Sequence, residues 1–160
     1  MDWLVDTNIL IDHLRGVAKA TTFLRQARSS ETLWLSAITV AEVYAGQGSR
    51  QSKQASKVTR LLNLFRTAYV DGSVARLGGE IARDCGTALP DALIAATAIR
   101  KGLVLATRST SRTFPTSKFA LRIDIKLETA VVILHAFQKK TSKTPPREIE
   151  LARARLKEML

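Results

Sequence analysis

Short apolar runs alternate with stretches of helical period through the first two thirds of the chain, and this alternation constrains the fold more than any other feature. Residues 2–6 read as a buried strand, and residues 7–15 follow with Ile9, Leu10 and Leu14 at helical spacing. A second helix is expected over 18–28. A strand over 32–35 then runs into Ser36, a good N-cap for a helix over 37–45. The pattern repeats with a basic amphipathic helix over 51–65, a brief strand over 68–70 and a helix over 74–84 ended by Gly86. Pro90 suits the first turn of a helix through residue 100, and Gly102 closes it before a strand over 103–106. Strands alternating with helices predict an α/β fold: a central parallel sheet covered by helices on both faces, in three layers.

Beyond Thr107 the pattern changes. The stretch RSTSRTFPTSK is polar and without periodicity, which makes residues 111–118 a junction. Residues 119–125 and 130–137 then read as a β-hairpin, and 148–160 as a charged helix introduced by Pro145 and Pro146. The predicted organisation is therefore a domain over 1–110 and an appendage over 119–160. Either the appendage's strands take the place of the domain's last edge strand, or its helix simply dangles.

The chain has 160 residues, 46% of them hydrophobic, enough for one real core plus a small appendage. Its formal net charge is +11, and the region 111–160, with eleven basic and five acidic residues, is the more basic per residue. Such an excess favours a polyanionic partner, although it also serves solubility alone. Cys85 is the only cysteine, so no disulfide forms within the chain and a reducing cytoplasm is the expected setting. Acids in MDWLVDTNILIDHL replace the basic start of an export signal, and no apolar run reaches membrane-spanning length, so no membrane partner is expected.

Three carboxylates stand where a fold of this kind does not need them. Asp6 closes the first strand and so falls at the carboxyl edge of a parallel sheet, where ligands bind; it could equally be an ordinary helix cap. Glu42 has Ile38, Thr39, Ala45 and Gly46 one turn away, a largely apolar face expected to pack inward. Buried alone it would cost on the order of several kcal/mol, so a metal, an arginine or a partly exposed position must accommodate it. Asp91 lies in the first turn of the otherwise apolar PDALIAATAI, where the helix dipole alone would favour it. Should the three converge, they would need a counter-charge, for which a hard cation such as Mg²⁺ or Mn²⁺ is the usual choice, and that chemistry suits phosphodiester hydrolysis. The histidines, His13 and His135, fall in different regions and form no catalytic pair on this reading.

The segments VDTNILIDHL, SAITVAEVYAG and LPDALIAATAIRKGLVLATR together resemble the VapC-type PIN-domain ribonucleases over residues 1–110, with three motifs in family order and their acids intact. The resemblance implies a PIN-like fold, Mg²⁺- or Mn²⁺-dependent endoribonuclease activity, dimerisation and inhibition by a separately encoded antitoxin. Carried over by position, it makes Asp6, Glu42 and Asp91 the catalytic, metal-binding acids and places Asn8, Ser36 and Thr107 near them. Arg108 would contact RNA phosphate. The pattern departs at TRSTSRTF, where Ser109 and Arg112 stand in place of an expected Asn or Asp and Phe114 comes late, so a fourth acid is missing from the motif. Asp84 or Asp124 could replace it only through the fold.

The tail, VVILHAFQKKTSKTPPREIELARARLKEML, resembles the C-terminal end of phage-derived HigB/RelE-type toxins, again over residues 119–160. That family cleaves mRNA on the ribosome, and its basic stretch would include Lys139, Lys140 and Lys143. Most of its N-terminal portion is absent, so a recombined fusion is expected. The leading expectation is a toxin endoribonuclease acting through the three acids. The alternatives are an impaired fusion that binds RNA or antitoxin without cleaving, and a tail-driven, ribosome-dependent interferase.

Overall fold

The computed structural model describes residues 2–46 and 52–107 and, as paired strands, 119–127 and 130–138. Four parallel strands form the centre: β1 (Trp3–Val5), β2 (Leu33–Ser36), β3 (Arg66–Ala68) and β4 (Val104–Thr107). Six helices connect them, α1 (Thr7–Leu14), α2 (Ala18–Ser30), α3 (Ala37–Ala45), α4 (Ser52–Leu62), α5 (Gly72–Cys85) and α6 (Leu89–Lys101). The hairpin β5 (Phe119–Leu127) and β6 (Ala130–Gln138) completes a six-stranded sheet of order β3-β2-β1-β4-β6-β5.

Alternation along the strands sets the layers. Trp3, Val5, Leu33, Leu35, Val104 and Ala106 face a core built with α1, α2 and α4, where the Trp3 and Phe23 rings meet edge to face at 5.7 Å. Leu4 and Leu105 face the other way, onto Ile94 and Ala98 of α6, and α5 packs outside α6. This is the expected three-layer arrangement. The α5–α6 contact is close because Gly78 has no side chain: a Cβ there would lie 2.6 Å from Leu93 Cδ2. Among the described residues no helix is long and apolar enough to cross a membrane.

The structure moves some boundaries. The third strand is Arg66–Ala68 rather than 68–70, because Thr67 and Ala68 register against Leu35 and Ser36 while Val70 turns into the α5–α6 core. The Arg66 guanidinium lies over the Trp34 ring at 5.6 Å, which anchors the strand's start. α5 begins at Gly72 because Asp71 caps it, its Oδ1 accepting from the Ser73 and Val74 amides at 2.9 Å each. The hairpin takes the sheet's edge beside β4: β6 pairs antiparallel with β4, with Leu105, Ala106 and Thr107 opposite Ile133, Val132 and Val131. The predicted junction and the helix over 148–160 lie outside the described residues.

Candidate active site

Because β1, β2, β3 and β4 run parallel, their last residues share one edge of the sheet, and Asp6, Ser36 and Thr107 all lie along it. Asp6 occupies the N-cap position of α1 with extended backbone (φ −72°, ψ 151°), yet its side chain makes no capping bond. It turns across β1 instead, accepting from Thr107 Oγ1 at 2.6 Å and from Asn8 Nδ2 at 3.4 Å. The contrast with Asp71, which does cap its helix, removes the ordinary explanation for an aspartate at this place. Asp6 is buried, with 8% of its surface exposed. Burial pushes its carboxyl above the usual range and the Asp91 charge pushes the same way, while the bonds from Thr107, the Thr7 amide and Asn8 pull it back.

Glu42 comes from α3, whose buried positions Thr39 and Val43 lie on either side of it, and it is half-buried rather than turned wholly inward. Thr7 Oγ1 donates to Glu42 Oε2 at 2.5 Å, tying α3 to the residue next to Asp6. Asp91 is exposed in the first turn of α6 and reaches Asp6 through its charge. Among the described residues none of the three acids has an ion-pair partner, whereas Arg83 Nε pairs with Asp84 Oδ1 at 2.9 Å. Also among the described residues, no three His, Cys, Asp or Glu side chains are grouped closely enough to hold a metal ion as they stand.

The supporting residues divide. Thr107 and Asn8 both bond Asp6. Ser36 is fully buried and points elsewhere: its Oγ accepts from the Ile38 amide at 3.3 Å and meets Thr97 Oγ1 at 3.3 Å. Thr97 gives its own proton to the Leu93 carbonyl at 2.7 Å, so Ser36 must be the donor to Thr97. Ser36 therefore braces β2 against α6, the helix that carries Asp91. Thr7 and Thr97 were not singled out by sequence reasoning, since their partners lie 35 and 61 residues away. Arg108, Ser109, Arg112, Phe114, Lys139, Lys140 and Lys143 lie outside the described residues, as do the side chains of Asp124 and His135. His13 Nδ1 meets Thr21 Oγ1 at 2.9 Å, on a groove of about 410 Å³ beside the start of β2, away from the acids.

A three-layer α/β domain with acids and hydroxyls collected at the carboxyl edge is the class that fold and site define. Residues 3–110 match the PIN domain family, and the chain belongs to it. Over 109 residues it is 38% identical to Ribonuclease VapC10 of Mycobacterium tuberculosis, covering 65% of this chain and 80% of that protein. A toxin–antitoxin complex from Klebsiella pneumoniae contains a chain similar in structure, with TM-score 0.61 and 31% identity over 68% of this chain and 88% of that one. VapBC2 from Rickettsia felis, solved on a DNA fragment from its promoter, shares the fold at TM-score 0.62 and 20% identity, covering 69% and 90%. Residues 125–157 match a second family, Phage derived protein Gp49-like (DUF891), a short match that lends the tail's resemblance to phage-derived toxins limited support.

Proposed function

We propose that the chain is the toxin of a toxin–antitoxin pair: a divalent-metal-dependent endoribonuclease, working in the cytoplasm as a homodimer and held in check by an antitoxin protein. The observation that carries this reading is Asp6, a buried carboxylate that does not cap its helix, has no cation among the described residues and is opposed by Asp91. A site of that kind is relieved by a positive ligand. The donors near it are all oxygens, those of Asp6, Glu42, Asp91, Thr107 and Asn8, which is the chemistry that suits Mg²⁺ or Mn²⁺.

On this reading Asp6, Glu42 and Asp91 hold the cation, with waters completing the set. A divalent ion there supplies Lewis-acid chemistry, making water a better nucleophile and offsetting charge on the scissile phosphate. Thr107 and Asn8 orient Asp6. The low exposure of Asp6 keeps bulk water from screening it, so a bound charge counts for more. The net charge of +11 draws the RNA backbone to the protein, and RNA binding should weaken steeply with salt.

The relatives' names support ribonuclease activity and an antitoxin partner. A second reading, binding without cleavage, is favoured by the absence of a ready-made three-acid ligand group among the described residues. One experiment separates the two: cleavage of a mixed RNA by the purified chain in Mg²⁺ or Mn²⁺, with Asp91→Ala prepared identically. Cleavage by the parent and loss of at least about 100-fold in the variant is expected, the scale on which removal of one stabilising group acts. RNA binding by both with cleavage by neither establishes the second reading.

A further inference from the structure

We propose that Thr7 is a positioning residue whose hydroxyl holds the Glu42 carboxylate beside Asp6, so that acids from two elements act as one cation site. The inference rests on the metal-site reading above and assigns a role to a residue that reading does not use. Thr7 is the first residue of α1 and is 6% exposed. A buried hydroxyl requires a partner, and this one donates to Glu42 Oε2 at 2.5 Å, the short distance of a charge-assisted O–H···O⁻ bond. Its backbone amide follows Asp6 directly in the chain and helps pull that carboxyl's pKa back down. One residue thus adjoins Asp6 along the chain and bonds Glu42 through its side chain.

The consequence is a matter of freedom. Glu42 sits half-buried on α3, with the exposed Ala41 and Tyr44 showing that solvent lies close by. A glutamate has three side-chain torsions, and an unrestrained carboxylate would spend much of its time turned outward. Among the described residues Thr7 is the one hydrogen-bond donor to it. The bond occupies a single lone pair of Oε2, leaving the rest of the carboxylate to bind a cation. The cost of ordering Glu42 is then met in the folded protein rather than at metal binding, which is how outer groups raise a site's affinity.

The test is Mn²⁺ binding by calorimetry and by Mn²⁺-dependent rise in melting temperature on the full chain, comparing the parent with Thr7→Val, Thr7→Ala, Thr7→Ser and Asp6→Asn. The expected result is a Kd about 10-fold weaker in Thr7→Val and Thr7→Ala, with restoration in Thr7→Ser. The valine and alanine substitutions, of different size, guard against one of them failing to fold. A purely structural role would lower the metal-free melting temperature and leave the Kd unmoved, and that outcome overturns the proposal. A parent chain that binds no Mn²⁺ overturns the metal-site reading and this inference together, whereas parent-like Kd in both truncations overturns this inference alone.

Discussion

Asp6 ionises against its surroundings. Burial is the largest influence on its carboxyl, Asp91 adds to it, and the donors Thr107, Thr7 and Asn8 offset only part, so the folded-state pKa lies above the ordinary value of 3.8. For an acid whose pKa is raised by folding, the stability tied to its neutral form is fully present below the unfolded pKa and is lost as pH rises through the folded one. At neutral pH the charged group therefore works against the fold. Asp6→Asn should melt higher than the parent at pH 7 in EDTA, with the difference shrinking as the pH is brought below about 4. The same substitution should remove the stabilisation by Mn²⁺. A variant that melts lower than the parent at pH 7 would mean that Asp6 is a structural group. This residue's position at a strand end was legible in the sequence, and so were Glu42 and Asp91 through their motifs. What links them was not. The Thr7–Glu42 and Ser36–Thr97 bonds join side chains far apart along the chain, and only the packing of α3 and α6 brings them together. Ser36 looked in sequence like a helix cap near the site; it is a cap that also braces α6.

At the scale of elements, local chemistry explains where the strands and helices fall. Apolar period identified each of them over residues 1–107, because burial on both faces of the sheet demands it. Ends set by capping or by register were misplaced by a few residues: α5 starts at its Asp71 cap rather than at its first apolar residue, and β3 is fixed by its pairing with β2. The α5–α6 contact supplies a sharp test, since two adjacent glycines of α5 meet different surroundings. At Gly78 an added Cβ would fall 2.6 Å from Leu93 Cδ2 and 3.2 Å from Leu93 Cα, whereas at Gly79 nothing lies within 4 Å. Alanine gains up to about 1 kcal/mol over glycine in a helix, and overpacking costs about 1–3 kcal/mol. Gly79→Ala should therefore stabilise by about 0.5–1 kcal/mol, while Gly78→Ala should be neutral to destabilising by about 2 kcal/mol. Urea unfolding of the two variants measures the gap; equal effects would show that α5 and α6 are not packed this closely.

The whole molecule turns on how the tail is joined. The sequence marks the region after Thr107 as an appendage whose strands replace the last edge strand or whose helix dangles, because a change of texture marks a boundary without saying what lies across it. The pairing makes β6 an interior strand, with Val132 opposite Ala106 of β4 on one side and Ile125 of β5 on the other. Further along, Ala136 is opposite Leu121 of β5, beyond the stretch that pairs with β4. Proline cannot donate to a ladder, and the buried carbonyl it leaves unpaired inside a sheet costs about 1–3 kcal/mol. Val132→Pro should thus destabilise the entire domain by that amount, whereas Ala136→Pro should disturb the hairpin and shift the domain's transition less. The chain contains two tryptophans, Trp3 on β1 and Trp34 on β2, so their fluorescence reports unfolding of the central sheet and not of the tail. A lower urea midpoint in Val132→Pro, read by those two residues, is expected if sheet and tail unfold as one body. An unchanged tryptophan transition would make the tail an independent fragment, and the edge of β4 would then have to be protected in some other way, since an open strand of buried residues is a site for aggregation.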